Sequence, residues 1–133
     1  MKNIVLIDDD RLITVLVKAF LKNSDINLVT FNCPQQGLEY ILNHKVDMCI
    51  TDLMMPKLSG FDICNELLEK MNTVKLAVLS LKKLSINELH YLLDNNICYF
   101  NKPLQPKKFR AHLESLIYAD DRYAKTITGI YAT

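Results

Sequence analysis

The chain lacks paired cysteines, long apolar runs and an excess of charge of either sign. Its four cysteines are scattered singly, without a C-x-x-C pair, which argues against a zinc site or a disulfide framework and favours a reduced, cytoplasmic protein. The formal net charge is only +1, so we expect no basic face that binds nucleic acid directly. No apolar stretch approaches the ~20 residues needed to cross a bilayer. The start, Met1-Lys2-Asn3, leads straight into a predicted strand and leaves no room for a signal peptide.

The chain contains enough apolar material for one core. Its 133 residues are 50% hydrophobic and include no low-complexity segment. A chain of this size is expected to form a single domain. We expect that domain to cover residues 1–118 and to be followed by a C-terminal tail, 119–133, of unknown role and without clear periodicity.

Four short apolar runs end at residues that can carry chemistry. The runs lead to Asp8, to Asp52, to Ser80 and to Lys102. Because the apolar residues do not alternate with polar ones, these runs are typical of strands buried on both faces of a parallel sheet. In such sheets, ligands lie in the crevice at the carboxyl ends of the strands. The sequence therefore predicts that carboxylates, a hydroxyl and an ammonium converge on one edge.

Helical spacing of apolar residues separates these strands. We predict helices over about 11–23 and 34–44, a third after Gly60, a fourth before Asn95-Asn96 and a fifth from near Pro106, with a further strand over 27–32. The Asn95-Asn96 pair can adopt the left-handed cap conformation that glycine usually fills. Strands that alternate with helices predict a doubly wound α/β domain with five parallel strands.

Three aspartates are expected to share one crevice. Asp8 and Asp9 adjoin each other at one strand end, and Asp52 ends another strand. Like charges disfavour joint ionisation unless a cation neutralises them. Magnesium prefers oxygen ligands, accepts one or two carboxylates and fills its other positions with water or phosphate. A helix N-terminus would explain Asp9 or Asp10 alone, but it does not explain Asp52. The sequence therefore predicts a magnesium site.

The surroundings of Asp52 resemble a known motif. Thr51 precedes it and Leu-Met-Met-Pro follows it, as in the phosphoacceptor motif of response-regulator receiver domains. The resemblance extends over about residues 2–118. Asp8 and Asp9 resemble the acidic pair of that family, and Gly60 resembles its loop glycine.

Three further features of the family are also present. Ser80 resembles the family's switch hydroxyl, Tyr99 its aromatic switch residue, and Lys102-Pro103 its lysine and following proline. The resemblance implies a flavodoxin-like sheet in the order 2-1-3-4-5 with five helices. It also implies a cis peptide between Lys102 and Pro103.

The resemblance further implies a phosphorylation-activated switch of a two-component system. Asp52 would accept a phosphoryl group from a histidine kinase or a histidine phosphotransfer protein, while Lys102 and Ser80 would contact the phosphoryl oxygens. The implied ligands of Mg²⁺ are Asp9, Asp52, the backbone carbonyl of Met54 and, through a water molecule, Asp8. Apart from its own phosphorylation and dephosphorylation, the domain would catalyse nothing.

The phosphate would change the surface of the fourth helix, fifth strand and fifth helix, and so control an output protein that the sequence does not identify. We expect no direct contact with nucleic acid or membrane, and a monomer or a phosphorylation-dependent dimer. The tail is too short for an effector domain, which favours a standalone or truncated receiver. A fragment of a DNA-binding or enzymatic regulator remains an alternative.

Two other functions fit less well. A magnesium-dependent phosphohydrolase of the haloacid-dehalogenase type needs an acid two residues after its nucleophile, where this chain has Met54. A flavin-binding domain needs a phosphate loop rich in glycine and hydroxyls, and Asp8, Asp9 and Asp10 would repel that phosphate.

The chain departs from the receiver pattern at Leu81, where the family usually has a small residue, and at Asn95-Asn96, where it prefers Gly-Ala. The bulk of Leu81 predicts slow loss of the phosphate.

Overall fold

Strands and helices alternate along the part of the chain that the computed structural model describes, residues 1–71 and 73–119. The strands are β1 (Lys2–Ile7), β2 (Ile26–Phe31), β3 (Met48–Asp52), β4 (Lys75–Ser80) and β5 (Cys98–Asn101). The helices are α1 (Arg11–Phe20), α2 (Pro34–Asn43), α3 (Gly60–Lys70), α4 (Ile86–Asp94) and α5 (Pro106–Tyr118). Of the predicted tail, only Ala119 lies within the described residues. Within those residues, no helix has the length and apolar character that crossing a membrane requires.

The five strands form one parallel sheet in the order β2-β1-β3-β4-β5. This confirms the predicted doubly wound fold and its strand order. The register pairs Ile7 with Thr51 and Asp52 with Leu79, so β1, β3 and β4 end at nearly the same level. The residues that follow or end these strands therefore meet at one edge of the sheet.

Strand side chains alternate between two cores, one on each face of the sheet. In β1, Val5 and Ile7 belong to the core covered by α2, α3 and α4, whereas Ile4 and Leu6 belong to the core covered by α1 and α5. All four side chains are at most 1% exposed. Because each face is buried, an apolar residue is favoured at every strand position, which explains the absence of alternation in the sequence.

The first helix is shorter than predicted. It ends at Phe20 rather than near residue 23. Asn23 has a φ of 63°, and the hydroxyl of Ser24 donates to a carbonyl at the helix end at 2.6 Å. Together these residues reverse the chain before β2, and apolar spacing alone does not reveal such a turn. At the end of α4, Asn96 has a φ of 56°, which confirms the predicted left-handed cap.

Candidate functional site

The residues predicted to carry chemistry lie together at the carboxyl edge of the sheet. Asp8 follows β1, Asp52 ends β3, Ser80 ends β4 and Lys102 follows β5. The backbone N–H of Lys102 donates to the carbonyl of Ser80 at 2.9 Å, which continues the pairing of β4 with β5. Each functional side chain is thus positioned by a strand buried in the sheet.

Asp8, Asp9 and Asp52 form an acidic cluster in which one carboxylate oxygen of each lies within 4.8 Å of the others. Asp8 is 0% exposed and Asp52 is 7% exposed, whereas Asp9 faces solvent. Oδ1 of Asp8 accepts a hydrogen bond from the N–H of Asp10 at 2.9 Å. Its buried Oδ2 is paired with the ammonium of Lys102, whose Nζ lies 2.8 Å away. These oxygen donors and their spacing suit a hard divalent cation.

Lys102 supplies the positive charge of the site. Its Nζ lies 2.8 Å from Oδ2 of Asp8 and 3.4 Å from Oδ1 of Asp52, and its side chain is 9% exposed. The peptide bond between Lys102 and Pro103 is cis, as predicted. The site therefore holds one ammonium, beside two of the three carboxylates of the acidic cluster, which leaves negative charge for a metal ion to neutralise.

Burial is the largest cause of the raised pKa values of Asp8 and Asp52. It raises the pKa of Asp8, and the contacts with Lys102 and the Asp10 N–H offset only part of this rise. Burial, followed by the nearby charge of Asp8, also raises the pKa of Asp52. Burial opposes the charged form of Lys102, but the contacts with Asp8 and Asp52 outweigh it and raise the pKa of the ammonium. The fold therefore places the carboxylates of Asp8 and Asp52 where burial and mutual repulsion disfavour their joint ionisation.

The end of β2 fixes the backbone of Asp8. The N–H of Asp8 donates to the carbonyl of Phe31 at 3.0 Å, and the side-chain amide of Asn32 donates to the carbonyl of Asp8 at 2.8 Å. The sequence interpretation missed Asn32. A usable signal existed, because Asn32 directly follows a strand, as Asp8 does.

The loop between β3 and α3 explains the glycine at position 60. A Cβ there would lie 2.4 Å from the carbonyl oxygen of Asp52 and 2.9 Å from the Cα of Leu53, so a side chain requires the backbone to move. The N–H of Gly60 donates to the carbonyl of Leu53 at 3.0 Å. Met54 lies in this loop with its side chain 66% exposed. The role of its carbonyl as a ligand stays a prediction.

Ser80 and Tyr99, the predicted switch pair, both contact Lys82. The Ser80 hydroxyl, on a residue 2% exposed, accepts from the N–H of Lys82 at 2.9 Å and donates to its carbonyl at 3.3 Å. The Tyr99 hydroxyl donates to Oδ1 of Asn101 at 2.6 Å and lies 3.1 Å from the Lys82 carbonyl. Asn101 was not predicted, although its spacing from Tyr99 places the two residues on one face of a strand.

Large apolar side chains are exposed on elements that follow the site residues. On α1, which begins just after the acidic pair, Leu12 and Val15 are 62% and 63% exposed. Leu81, directly after Ser80, is 79% exposed. Clusters of exposed apolar side chains are typical of surfaces that contact other molecules.

A comparison with protein families identifies the family of this chain. The response regulator receiver domain matches residues 4–114 of the chain. The chain belongs to this family. Receiver domains are the phosphoacceptor switches of two-component response regulators, so the predicted family and general function are confirmed.

Curated relatives of this receiver domain are longer proteins. Regulatory protein VanR of Enterococcus faecium is 28% identical over 127 residues, which cover 96% of this chain and 53% of VanR. The alkaline phosphatase synthesis transcriptional regulatory protein PhoP of Bacillus subtilis is 24% identical over 116 residues, which cover 87% of this chain and 48% of PhoP. This chain therefore spans about half the length of the curated relatives it matches.

Solved structures support the receiver fold. A CheY-like response regulator receiver domain protein from Methanospirillum hungatei superposes with a TM-score of 0.79 at 18% identity, over 88% of this chain and 94% of that chain. The response regulator DrrB of Thermotoga maritima superposes with a TM-score of 0.76 at 22% identity, over 88% of this chain and 52% of that chain. At these identities the likeness concerns the fold alone.

Proposed function

We propose that this receiver domain, residues 1–118, is switched by a phosphoryl group that Asp52 accepts. The observation that carries the proposal is the position of the Asp52 carboxylate, which ends β3 within the acidic cluster, 3.4 Å from the ammonium of Lys102. A carboxylate can attack phosphorus and form an acyl phosphate. Positioning and charge neutralisation supply most of the catalysis of such a transfer.

In the proposed reaction an oxygen of Asp52 forms a bond to phosphorus. The bond between phosphorus and the donor's leaving group breaks, and the leaving group departs with the electron pair. Lys102 then turns from Asp8 toward the phosphoryl oxygens and acts as a point charge. The hydroxyl of Ser80 donates a hydrogen bond to another phosphoryl oxygen.

The proposed metal is Mg²⁺, which supplies positive charge to the carboxylates and to the transferred group. The proposed ligands are Asp9, Asp52, the backbone carbonyl of Met54 and, through a water molecule, Asp8. The three carboxylate oxygens within 4.8 Å of one another support this assignment. The domain catalyses only its own phosphorylation and dephosphorylation. Met54 stands where a phosphohydrolase of the haloacid-dehalogenase type carries its general acid.

The proposed readout passes through Ser80 and Tyr99. Both residues contact the backbone of Lys82, so movement of the Ser80 hydroxyl toward phosphate changes the hydrogen bonds available to Tyr99. Tyr99 lies in β5, and the loop at Lys82 leads into α4. We therefore propose the surface of α4, β5 and α5 as the one that an output protein reads.

The proposed phosphodonor is a histidine kinase or a histidine phosphotransfer protein. Such a donor must bring a phosphorylated side chain to Asp52 and so must contact the rim of the site. The exposed side chains of Leu12, Val15 and Leu81 give that rim an apolar surface. This support is geometric and does not identify the donor.

The proposed setting is the cytoplasm, for which the four cysteines, all free of disulfides, are the support. The length of the curated relatives favours the receiver of a longer regulator, whereas the standalone receiver is the alternative. The proposed assembly is a monomer or a dimer that depends on phosphorylation, without direct contact with nucleic acid or membrane.

The intact mass of the protein tests the proposal. After incubation with acetyl phosphate and Mg²⁺, we expect the mass to increase by one phosphoryl group, and we expect Asp52→Asn to abolish the increase. An unchanged wild-type mass, or an increase that persists in Asp52→Asn, would contradict the proposal.

A further inference from the structure

Three groups of Lys82 make hydrogen bonds or an ion pair with neighbouring residues. Its backbone N–H donates to the hydroxyl of Ser80 at 2.9 Å. Its carbonyl lies within hydrogen-bonding distance of the hydroxyls of Ser80 and Tyr99, at 3.3 and 3.1 Å. Its ammonium lies 3.1 Å from Oε2 of Glu88 in the first turn of α4. One residue thus joins both predicted switch residues to a helix.

Glu88 holds Lys82 and caps α4 at the same time. Its Oε1 accepts from the N–H of Ser85 at 2.9 Å, and its own N–H donates to the Ser85 hydroxyl at 3.2 Å. These two hydrogen bonds form a capping box at the start of the helix. One carboxylate oxygen of Glu88 accepts the hydrogen bond of the capping box, and the other pairs with the ammonium of Lys82. The ion pair therefore connects the loop after β4 to the first turn of α4.

The hydroxyl of Ser80 carries a single hydrogen. While it donates that hydrogen to the carbonyl of Lys82, it cannot donate to a phosphoryl group on Asp52. The proposed function requires the second hydrogen bond, so the hydrogen bond from Ser80 to the Lys82 carbonyl must break when Asp52 is phosphorylated. Anything that stabilises the present position of Lys82 therefore opposes phosphorylation.

We propose that Glu88 is a positioning residue for Ser80. Its ion pair with Lys82 holds the loop in the arrangement in which the Ser80 hydroxyl donates to the Lys82 carbonyl. This inference rests on the proposed function of Asp52. By linkage, phosphorylation in turn weakens the ion pair and loosens the connection between the loop and the first turn of α4.

The variant Glu88→Gln separates the two roles of this side chain. Glutamine keeps an oxygen for the capping box but carries no charge for Lys82. The side chains of Lys82 and Glu88 are 47% and 23% exposed, so the coupling is that of a partly exposed pair. Such pairs correspond to about a 1.5- to 5-fold change in an equilibrium.

The first measurement uses the protein without ligand. Hydrogen exchange at the backbone N–H of Lys82 should become several-fold faster in Glu88→Gln, because the hydrogen bond to Ser80 is no longer held in place. The second measurement uses beryllium fluoride with Mg²⁺ as a mimic of the bound phosphoryl group. We expect Glu88→Gln to bind it about two- to fivefold more tightly than wild type.

A double-mutant cycle with Lys82→Met assigns the effect to the ion pair. Lys82→Met should also tighten binding of beryllium fluoride, and Glu88→Gln should add nothing in that background. The matched control is Glu66→Gln, which removes the exposed pair with Lys70 at 2.8 Å on α3. Glu66→Gln should leave both measurements unchanged.

The outcomes separate this inference from the function on which it rests. Normal binding of beryllium fluoride in wild type, lost in Asp52→Asn but unaltered or weaker in Glu88→Gln, overturns the role of Glu88 alone. Unchanged exchange at Lys82 in Glu88→Gln also overturns it. If wild type shows no binding that depends on Asp52, the proposed function and the role of Glu88 both fail.

Discussion

Lys102 and Asp8 form a buried ion pair at the edge of the sheet, with Nζ 2.8 Å from Oδ2. The lysine side chain is 9% exposed and the aspartate is 0% exposed. The same ammonium is 3.4 Å from Asp52, so it is shared between two carboxylates and fully neutralises neither. Negative charge therefore remains in the acidic cluster, which is the charge that the proposed metal would neutralise.

Removing the charge of Asp52 should stabilise the metal-free protein at neutral pH. Burial and the charge of Asp8 raise the pKa of Asp52 in the folded state, so ionised Asp52 destabilises the fold. The penalty is absent below the unfolded pKa, near 4, and grows as the pH rises through the folded pKa. We expect Asp52→Asn to raise Tm by a few degrees at pH 7 and to lose this advantage toward pH 4, measured by thermal unfolding in chelator.

The matched control is Asp25→Asn, at an aspartate side chain that is 73% exposed. Its Tm should differ little from wild type across the same pH range. A lower Tm for Asp52→Asn than for wild type at pH 7 would mean that Lys102 more than compensates the ionised carboxylate.

Substitutions of the adjacent residues Asp9 and Asp10 should have different effects, one on metal binding and the other on helix stability. Asp9 belongs to the acidic cluster and faces solvent, whereas the Asp10 side chain caps α1 by accepting from the N–H of Leu12 at 2.9 Å. We expect Asp9→Ala to weaken Mg²⁺ binding by at least about tenfold with little change in stability. Asp10→Ala should lower the free energy of unfolding by about 1 kcal/mol with a smaller effect on Mg²⁺. Calorimetric titration and urea unfolding measure the two effects. Unchanged Mg²⁺ affinity in Asp9→Ala would refute the ligand assignment.

Much of this site could be predicted from the sequence because strand ends fix it. Asp8, Asp52, Ser80 and Lys102 each follow or end an apolar run, and parallel strands bring such residues to one edge. The early end of α1 was not predictable from apolar spacing, because a left-handed Asn23 sets it.

Other contacts depend on side-chain conformations that spacing does not determine. The ion pair between Lys82 and Glu88 joins a loop to a helix and requires the loop's path. The hydrogen bond from Asn32 to Asp8 requires the register of β1 against β2. The Ser85–Glu88 capping box, in contrast, has a four-residue sequence signature from which it is predictable.

Two glycines should respond differently to substitution by alanine. At Gly60 the new Cβ would lie 2.4 Å from the backbone oxygen of Asp52, whereas at Gly37 it would lie 2.6 Å from two side-chain carbons of the buried Ile7. We expect Gly60→Ala to lower the free energy of unfolding by about 1–3 kcal/mol and to weaken Mg²⁺ binding. Gly37→Ala should lower the free energy of unfolding by less than Gly60→Ala, because its helix propensity gain of about 1 kcal/mol offsets part of the crowding against the Ile7 side chain. Urea unfolding of both variants is the measurement. Equal changes in the free energy of unfolding would show that the loop backbone at Asp52 moves as easily as the Ile7 side chain.

The residue after Ser80 should set the lifetime of the phosphate. Leu81 is 79% exposed at the carboxyl end of β4, and its bulk can cover the path by which water reaches Asp52. Lys82 offers no side-chain acceptor to orient an attacking water. We expect Leu81→Ala to lose phosphate several-fold faster than wild type at the same Mg²⁺ concentration. The control is Ile86→Ala, which shortens an exposed apolar side chain on α4. This variant should lose phosphate at the wild-type rate. Equal or slower loss in Leu81→Ala would mean that the leucine does not control access.

The site of phosphorylation can be read directly by reductive trapping. Borohydride converts an aspartyl phosphate into homoserine, and peptide mass spectrometry locates the converted residue. After treatment with acetyl phosphate and Mg²⁺, we predict homoserine at position 52, and we predict none when Mg²⁺ is removed by a chelator. A protein that gains one phosphoryl group without conversion at position 52, or with conversion at Asp8 or Asp9 instead, would contradict the assignment of Asp52 as the phosphoacceptor.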